Sequence, residues 1–100
     1  RLDVPNEIDD DGFWAEFRRI IRAANRDAYL LGEIWDVNPR WADDKHFDGL
    51  MNYPVRDALL ALFQGRENAV QFDERINGLF KAYNPENLSA MYVPLDSHDT

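Results

Sequence analysis

Three carboxylates stand at the ends of short apolar runs in this chain. Asp3 and Glu33 each end such a run, and Asp99 closely follows the run 91–95. Runs of this length are too short for helices and are typical of buried parallel strands. Folds built from parallel strands keep their chemistry at the carboxyl ends of those strands. The sequence therefore predicts three carboxylates at one edge of a parallel sheet.

A pair of carboxyl groups with an arginine beside one of them suits chemistry on sugars. Retaining glycoside hydrolysis uses a carboxylate that attacks the sugar and a carboxylic acid that protonates the leaving oxygen, about 5–5.5 Å apart. Arg1 lies two residues before Asp3, so both side chains project to the same side of one strand, and the cation would keep Asp3 ionised. The neighbours of Glu33 are mostly apolar, which favours the protonated form that the acid needs.

Aromatic and polar side chains near these carboxylates could bind a sugar. Trp35 and Tyr53 offer flat faces, and His98 offers a polar group for hydroxyls. Each feature taken alone also has a structural explanation, because the arginine–aspartate pair could be an ion pair, Glu33 could cap a helix and His98 could be buried. The joint pattern is what favours a glycosidase.

Composition limits the class of protein. The chain has 100 residues, 45% of them apolar, a net charge of −8 and no cysteine. These values indicate a folded domain and argue against a nucleic-acid partner or an anionic membrane surface. No apolar run approaches the roughly 18 residues of a spanning helix, and disulfides and thiolate metal sites are excluded.

The order of elements predicts an α/β fold with a parallel sheet, in the sequence strand, helix, strand, loop, strand, helix pair, strand. The predicted strands are 1–4, 28–34, 47–53 and 91–95, and the apolar helix faces lie within 13–24, 54–63 and 72–83. Pro94 weakens the last strand because it cannot donate a ladder hydrogen bond.

The run Asp9–Asp11 before Gly12 invites a calcium-loop interpretation. That interpretation is disfavoured because such loops alternate their ligands and end on a glutamate, so we expect these residues to cap a helix. A metal-dependent hydrolase is also disfavoured, because only His46 and His98 are available beside the carboxylates. No metal ligand is assigned.

Three segments together resemble the α-amylase family of glycoside hydrolases, which carries an (α/β)8 barrel. Arg1–Glu7, Gly32–Trp35 and Asp96–Asp99 look like its second, third and fourth signature segments, in order and with fitting spacing. The resemblance implies a partial (β/α)8 TIM barrel covering approximately strands four to seven, with residues 1–100 forming part of a single catalytic barrel domain. About half a barrel is expected to be inactive when isolated.

The resemblance also implies roles for individual residues. Asp3 would be the nucleophile, Glu33 the general acid/base, and Asp99 the carboxylate that binds sugar hydroxyls and stabilises the transition state. The residues implied or proposed to bind substrate are Arg1, Glu7, Trp35, Tyr53 and His98.

Two motifs resemble the neopullulanase, cyclomaltodextrinase and maltogenic amylase branch of the family. They are Val4–Glu7 and Met51–Pro54, although Pro5 and Asp36 depart from the branch pattern and could alter specificity. The branch implies a parent enzyme that needs no cofactor visible in this chain, although calcium is compatible with it. It also leans towards a cytoplasmic location and a homodimeric parent.

The function implied is retaining hydrolysis of α-1,4-glucosidic bonds in starch-like oligosaccharides or cyclodextrins, with α-1,6 bonds as a second candidate substrate. Two alternatives stay open. One is a transglycosylase in which a sugar hydroxyl replaces water in attacking the same covalent intermediate. The other is a non-catalytic family member acting as a binding subunit, although the chain keeps all three carboxylates.

Overall fold

Four parallel strand segments lie side by side in chain order in the computed structural model, which describes all 100 residues. Strand β1 (Leu31–Gly32) pairs with β2 (Gly49–Leu50), so that Leu31 lies opposite Gly49. Single parallel bridges extend this sheet, from Leu2 to β1 on one side and from Met51 to Tyr92 on the other. The predicted parallel α/β order is therefore confirmed.

The strands are shorter than predicted. The predicted strands 1–4 and 91–95 are single bridges, and the two central strands are two residues each. Pro94 explains part of this result, because it has no N–H with which to continue pairing beyond Tyr92. Apolar runs mark where strands lie, but their paired length depends on neighbouring strands.

Four α-helices lie in the first and third connections between the strand segments, and the second connection carries only a 3-10 turn. The helices are α1 (Asp11–Ala24), α2 (Tyr53–Phe63), α3 (Ala69–Ala82) and α4 (Pro85–Ser89), with 3-10 turns at Pro5–Glu7 and Pro39–Trp41. No helix is both long enough and apolar enough to cross a bilayer.

Each helix begins with a side-chain cap. Asp10, Asn52, Asn68 and Asn84 each accept a hydrogen bond from the backbone N–H three residues later. Such caps satisfy amide groups that have no partner within the helix. The prediction that the acidic run before α1 caps that helix is thus confirmed at Asp10, whereas α4, which Asn84 caps, is a short helix that the sequence did not predict.

The core lies between the sheet and the helices. Its buried side chains are Trp14, Leu30, Ile34, Trp41, Ala42, Phe47, Leu50, Leu79 and Tyr83. Trp41 anchors the irregular segment after β1, since it is 2% exposed and meets Trp14 edge to face with ring centroids 6.2 Å apart. This segment is the predicted loop between the second and third strands, and the 3-10 turn Pro39–Trp41 lies within it.

Asp48 joins the amino-terminal ends of two strands to α1. Its carboxylate accepts hydrogen bonds from Arg18 Nη2 at 2.8 Å, Arg22 Nη2 at 2.6 Å and the Leu30 N–H at 2.8 Å. Burial raises the pKa of Asp48, but the hydrogen bonds from Leu30, Arg22 and Arg18 outweigh burial and leave this pKa lowered. This cluster lies at the opposite ends of the strands from Glu33, where parallel-barrel folds place stabilising contacts.

Two glycines should respond in opposite ways to an added methyl group. A Cβ on Gly49 would lie 2.0 Å from the Ala90 carbonyl oxygen, whereas a Cβ on Gly78, inside α3, would meet nothing within 4 Å. We expect Gly49→Ala to lower the free energy of unfolding by about 1–3 kcal/mol through overpacking. Gly78→Ala should raise it by about 0.5–1 kcal/mol, because alanine is the better helix former. Thermal unfolding midpoints of the two variants test this, and shifts of the same sign would contradict the packing described.

Candidate active site

Glu33 is a buried carboxylate held by three donors. It follows β1 directly and is 3% exposed. Its Oε2 accepts from the Val4 N–H and contacts Arg1 Nη2, both at 3.1 Å, and its Oε1 accepts from Trp35 Nε1 at 3.1 Å. Both oxygens therefore have fixed positions, as an acid or base that must meet one bond of a substrate requires. The expectation of mostly apolar surroundings for this carboxyl group is wrong, because all three groups that contact its oxygens are polar donors brought in by the fold.

Arg1 brings two of the predicted carboxylates to one guanidinium. Its Nη1 lies 3.0 Å from Asp3 Oδ1, as the spacing of the two residues predicts, and its Nη2 lies 3.1 Å from Glu33 Oε2. Its Nε also points at Met51 Sδ, 3.4 Å away. Asp3 is 76% exposed on its side chain, so one carboxylate of the pair is open to a substrate and the other is enclosed.

Val4 has a strained backbone at this site. It adopts φ 33° and ψ 58°, the left-handed region that β-branched residues avoid, and it directly precedes Pro5. Such a conformation costs about 1–3 kcal/mol and persists where surrounding contacts impose it. This conformation directs the Val4 N–H towards Glu33 Oε2. Residue types alone do not signal this feature.

Trp35 and Tyr53 form one stacked pair. Their ring centroids are 3.9 Å apart and their planes are parallel. Trp35 is 44% exposed, whereas Tyr53 is 1% exposed and its hydroxyl donates to Ser97 Oγ at 3.1 Å. Both were predicted as sugar contacts. The structure leaves the tryptophan accessible and places the tyrosine beneath it.

The segment after the last bridge carries the third carboxylate. His98 Nε2 lies 3.1 Å from Asp99 Oδ2, and both side chains are solvent-accessible. His98 lines an open cavity of about 400 Å³; its other lining residues are Arg1, Leu31, Met51, Tyr92, Asp96 and Ser97. The cavity thus joins the Arg1 guanidinium to the segment that carries Asp99.

Glu7 stands apart from the other candidates. It ends the 3-10 turn after Val4 and is exposed. No hydrogen bond joins its side chain to Arg1, Asp3 or Glu33. The structure therefore gathers all seven other candidates into two contacting groups: Arg1, Asp3, Glu33, Trp35 and Tyr53 in one, with His98 and Asp99 in the second.

Comparison with known proteins identifies relatives of this chain. No protein-family model matches it. A cyclomaltodextrinase from a Bacillus species is 41% identical over 101 residues, a match that covers 100% of this chain and 18% of that protein. Neopullulanase 2 from Thermoactinomyces vulgaris is 39% identical, and the match covers 100% of this chain and 17% of that protein. The chain is a homologue of the cyclomaltodextrinases and neopullulanases.

Solved structures agree with this relationship. The cyclic α-maltosyl-(1→6)-maltose hydrolase from Arthrobacter globiformis matches with a TM-score of 0.94 at 34% identity, covering 100% of this chain and 23% of that one. The resemblance to the α-amylase family is confirmed. The chain matches part of these TIM-barrel enzymes and spans less than a fifth of the length of the curated relatives named above.

His46, the histidine that was not assigned to sugar binding, has a structural role that the sequence did not reveal. His46 is 4% exposed, with Nδ1 2.7 Å from Asp43 Oδ1 and Nε2 2.9 Å from Asp11 Oδ1. Asp11 also accepts from Arg40 at 2.8 Å, and the hydrogen bonds from Arg40 and then His46 lower the pKa of Asp11. This network ties the segment after β1 to the start of α1.

No group of three or more histidine, aspartate or glutamate side chains is arranged to hold a metal ion. The acidic run before α1 is engaged in other contacts, since Asp10 caps the helix and Asp9 and Asp11 pair with Arg40. The site is therefore one of carboxylates, an arginine and aromatic rings.

Proposed function

We propose that the full-length protein containing this chain is a retaining hydrolase of α-1,4-glucosidic bonds in starch-like oligosaccharides or cyclodextrins. In this proposal residues 1–100 form strands four to seven of one catalytic barrel. The observation that carries it is the Arg1 guanidinium, which lies within 3.1 Å of both Asp3 and Glu33. Retention needs two carboxyl groups close together beside one bond, and the shared guanidinium holds Asp3 and Glu33 as such a pair.

Asp3 attacks the anomeric carbon while Glu33 donates a proton to the leaving oxygen. The glycosidic bond breaks and an ester forms between the sugar and an Asp3 oxygen. Glu33, now ionised, then takes a proton from a water that attacks the same carbon, which releases the sugar and restores both carboxyl groups. The exposed side chain of Asp3, which is open to a substrate, supports its role as the nucleophile.

The remaining residues bind and orient the sugar. Asp99 and His98 lie side by side and offer a carboxylate and a ring N–H to hydroxyls, with Asp99 also stabilising the charge of the transition state. Trp35 offers an exposed ring, to which Tyr53 gives a flat support. Glu7 is exposed beyond the turn that follows Asp3, where it would meet a longer substrate.

An α-1,6 bond is a second candidate substrate. A neighbour with 34% identity is named a cyclic α-maltosyl-(1→6)-maltose hydrolase and has been solved with maltose. The mechanism requires no cofactor. Calcium binding and a homodimeric state of the parent enzyme are proposals that rest on the resemblance alone.

Retention of configuration tests this function. The full-length protein acting on maltotriose should first release product with the α configuration at its new reducing end, because two successive displacements restore the original face. Proton NMR of the freshly formed anomeric signal, recorded before mutarotation, gives the answer. Initial β product would remove Asp3 from the nucleophilic role.

A further inference from the structure

A continuous set of contacts runs from Glu33 to Asp99. Trp35 Nε1 donates to Glu33 Oε1 at 3.1 Å, and the Trp35 ring stacks on Tyr53 at 3.9 Å. The Tyr53 hydroxyl donates to Ser97 Oγ at 3.1 Å, and the same oxygen accepts the Asp99 N–H at 3.2 Å. A single serine hydroxyl therefore joins the two halves of the site.

The segment that carries Asp99 has few other attachments to the fold, namely the buried Pro94 and a hydrogen bond from Arg56 Nε to the Leu95 carbonyl oxygen at 3.1 Å. Its last sheet contact is the bridge at Tyr92, and Pro94 supplies no donor beyond it. The bonds from Ser97 N–H to Asp96 Oδ1 and Thr100 Oγ1, both 2.9 Å, lie within the segment itself. The Tyr53–Ser97 bond is the side-chain contact that ties Ser97 to a buried part of the fold.

We propose that Ser97 is a positioning residue that fixes Asp99 relative to the acid/base Glu33, acting through Tyr53 and Trp35. The inference rests on the proposed function. Tyr53 is rigid because it is buried at the start of α2, whereas Asp99 must meet a sugar that Asp3 attacks at the same moment. A small displacement of a group that acts only in the transition state lowers the rate without weakening ground-state binding.

The experiment uses the full-length protein with cyclodextrin as substrate. Ser97→Ala and Tyr53→Phe each remove one hydroxyl, and each should lower kcat roughly tenfold while KM changes less than about twofold. Because both remove the same hydrogen bond, the double variant should be no slower than the slower single variant. Ser97→Thr keeps a hydroxyl and should retain most of kcat. Ser89→Ala is the matched control, since its exposed hydroxyl bonds Glu86 within α4.

Each outcome decides between the claims. An inactive wild-type protein would refute the proposed function and this inference with it. An active wild type with normal kcat in Ser97→Ala would overturn the inference alone. Losses that multiply in the double variant would show that the two hydroxyls act separately. A rise in KM alone would make Ser97 a sugar contact rather than a positioning residue.

Discussion

Glu33→Gln in the full-length protein should lower kcat on glucans by roughly 10²–10⁴-fold, the usual contribution of a positioned general acid. The same variant should keep a fast first step with an α-glucosyl fluoride, because fluoride departs without being protonated. Glutamine preserves the shape of the side chain, and its oxygen can still accept from Val4 and Arg1, so the fold should survive the loss of the single hydrogen bond from Trp35. Stopped-flow fluoride release measures the first step. Glu74→Gln, an exposed change on α3, is the control.

Asp3→Asn should behave differently, because it removes the attacking atom. We expect a loss of roughly 10⁴–10⁶-fold on glucans and on the fluoride alike, since a good leaving group does not replace a nucleophile. Asp3 is largely exposed, so the change should leave the thermal unfolding midpoint close to that of the wild type. Rescue of Asp3→Asn by the fluoride, without rescue of Glu33→Gln, would reverse the two assignments.

The largest effect on stability is expected at Asp48. Asp48→Asn leaves the guanidiniums of Arg18 and Arg22 without their counter-ion. Breaking a fully buried pair costs about 3–5 kcal/mol, and because the Asp48 side chain is 19% exposed we expect about 2–4 kcal/mol. Denaturant unfolding of the full-length protein measures the loss. Asp44→Asn makes the same change of charge at an exposed position nearby and should have little effect.

Lowering the pH should remove the difference in stability between the wild type and Asp48→Asn. The pKa of Asp48 is lowered in the folded chain, so its stabilisation is fully present above the unfolded value of about 3.9 and is lost as the pH falls through the folded value. The unfolding midpoints of the two proteins should therefore converge at a pH below about 3.9. A gap that stays constant through that range would mean that the carboxylate charge contributes nothing.

The carboxylates of the site could be located from the sequence because each follows a local pattern. A strand end places Glu33, and the spacing of Arg1 and Asp3 on an extended backbone predicts their contact. The cap of α1 could also be predicted, since the acidic residues before this helix precede an apolar periodic segment. These features depend on residues close together in the chain.

Features that depend on distant residues could not be predicted in this way. Arg1 contacts Glu33 on the neighbouring strand segment. The left-handed backbone conformation of Val4 is imposed by that packing, because valine does not prefer it. Tyr53 was expected to offer its own face to a sugar, but the fold stacks it beneath Trp35. The paired lengths of the strands likewise depend on neighbouring strands, which a local run of apolar residues does not describe.

A trapped sugar on Asp3 would test the central claim most directly. In Glu33→Gln the fluoride substrate should form the covalent intermediate quickly, but water attack should be slow because its general base is missing. The intermediate should therefore accumulate. Peptide mass spectrometry after acid quenching is predicted to find one added glucosyl unit on the peptide that contains Asp3. Fluoride release with no adduct, or an adduct on any other residue, would contradict the account.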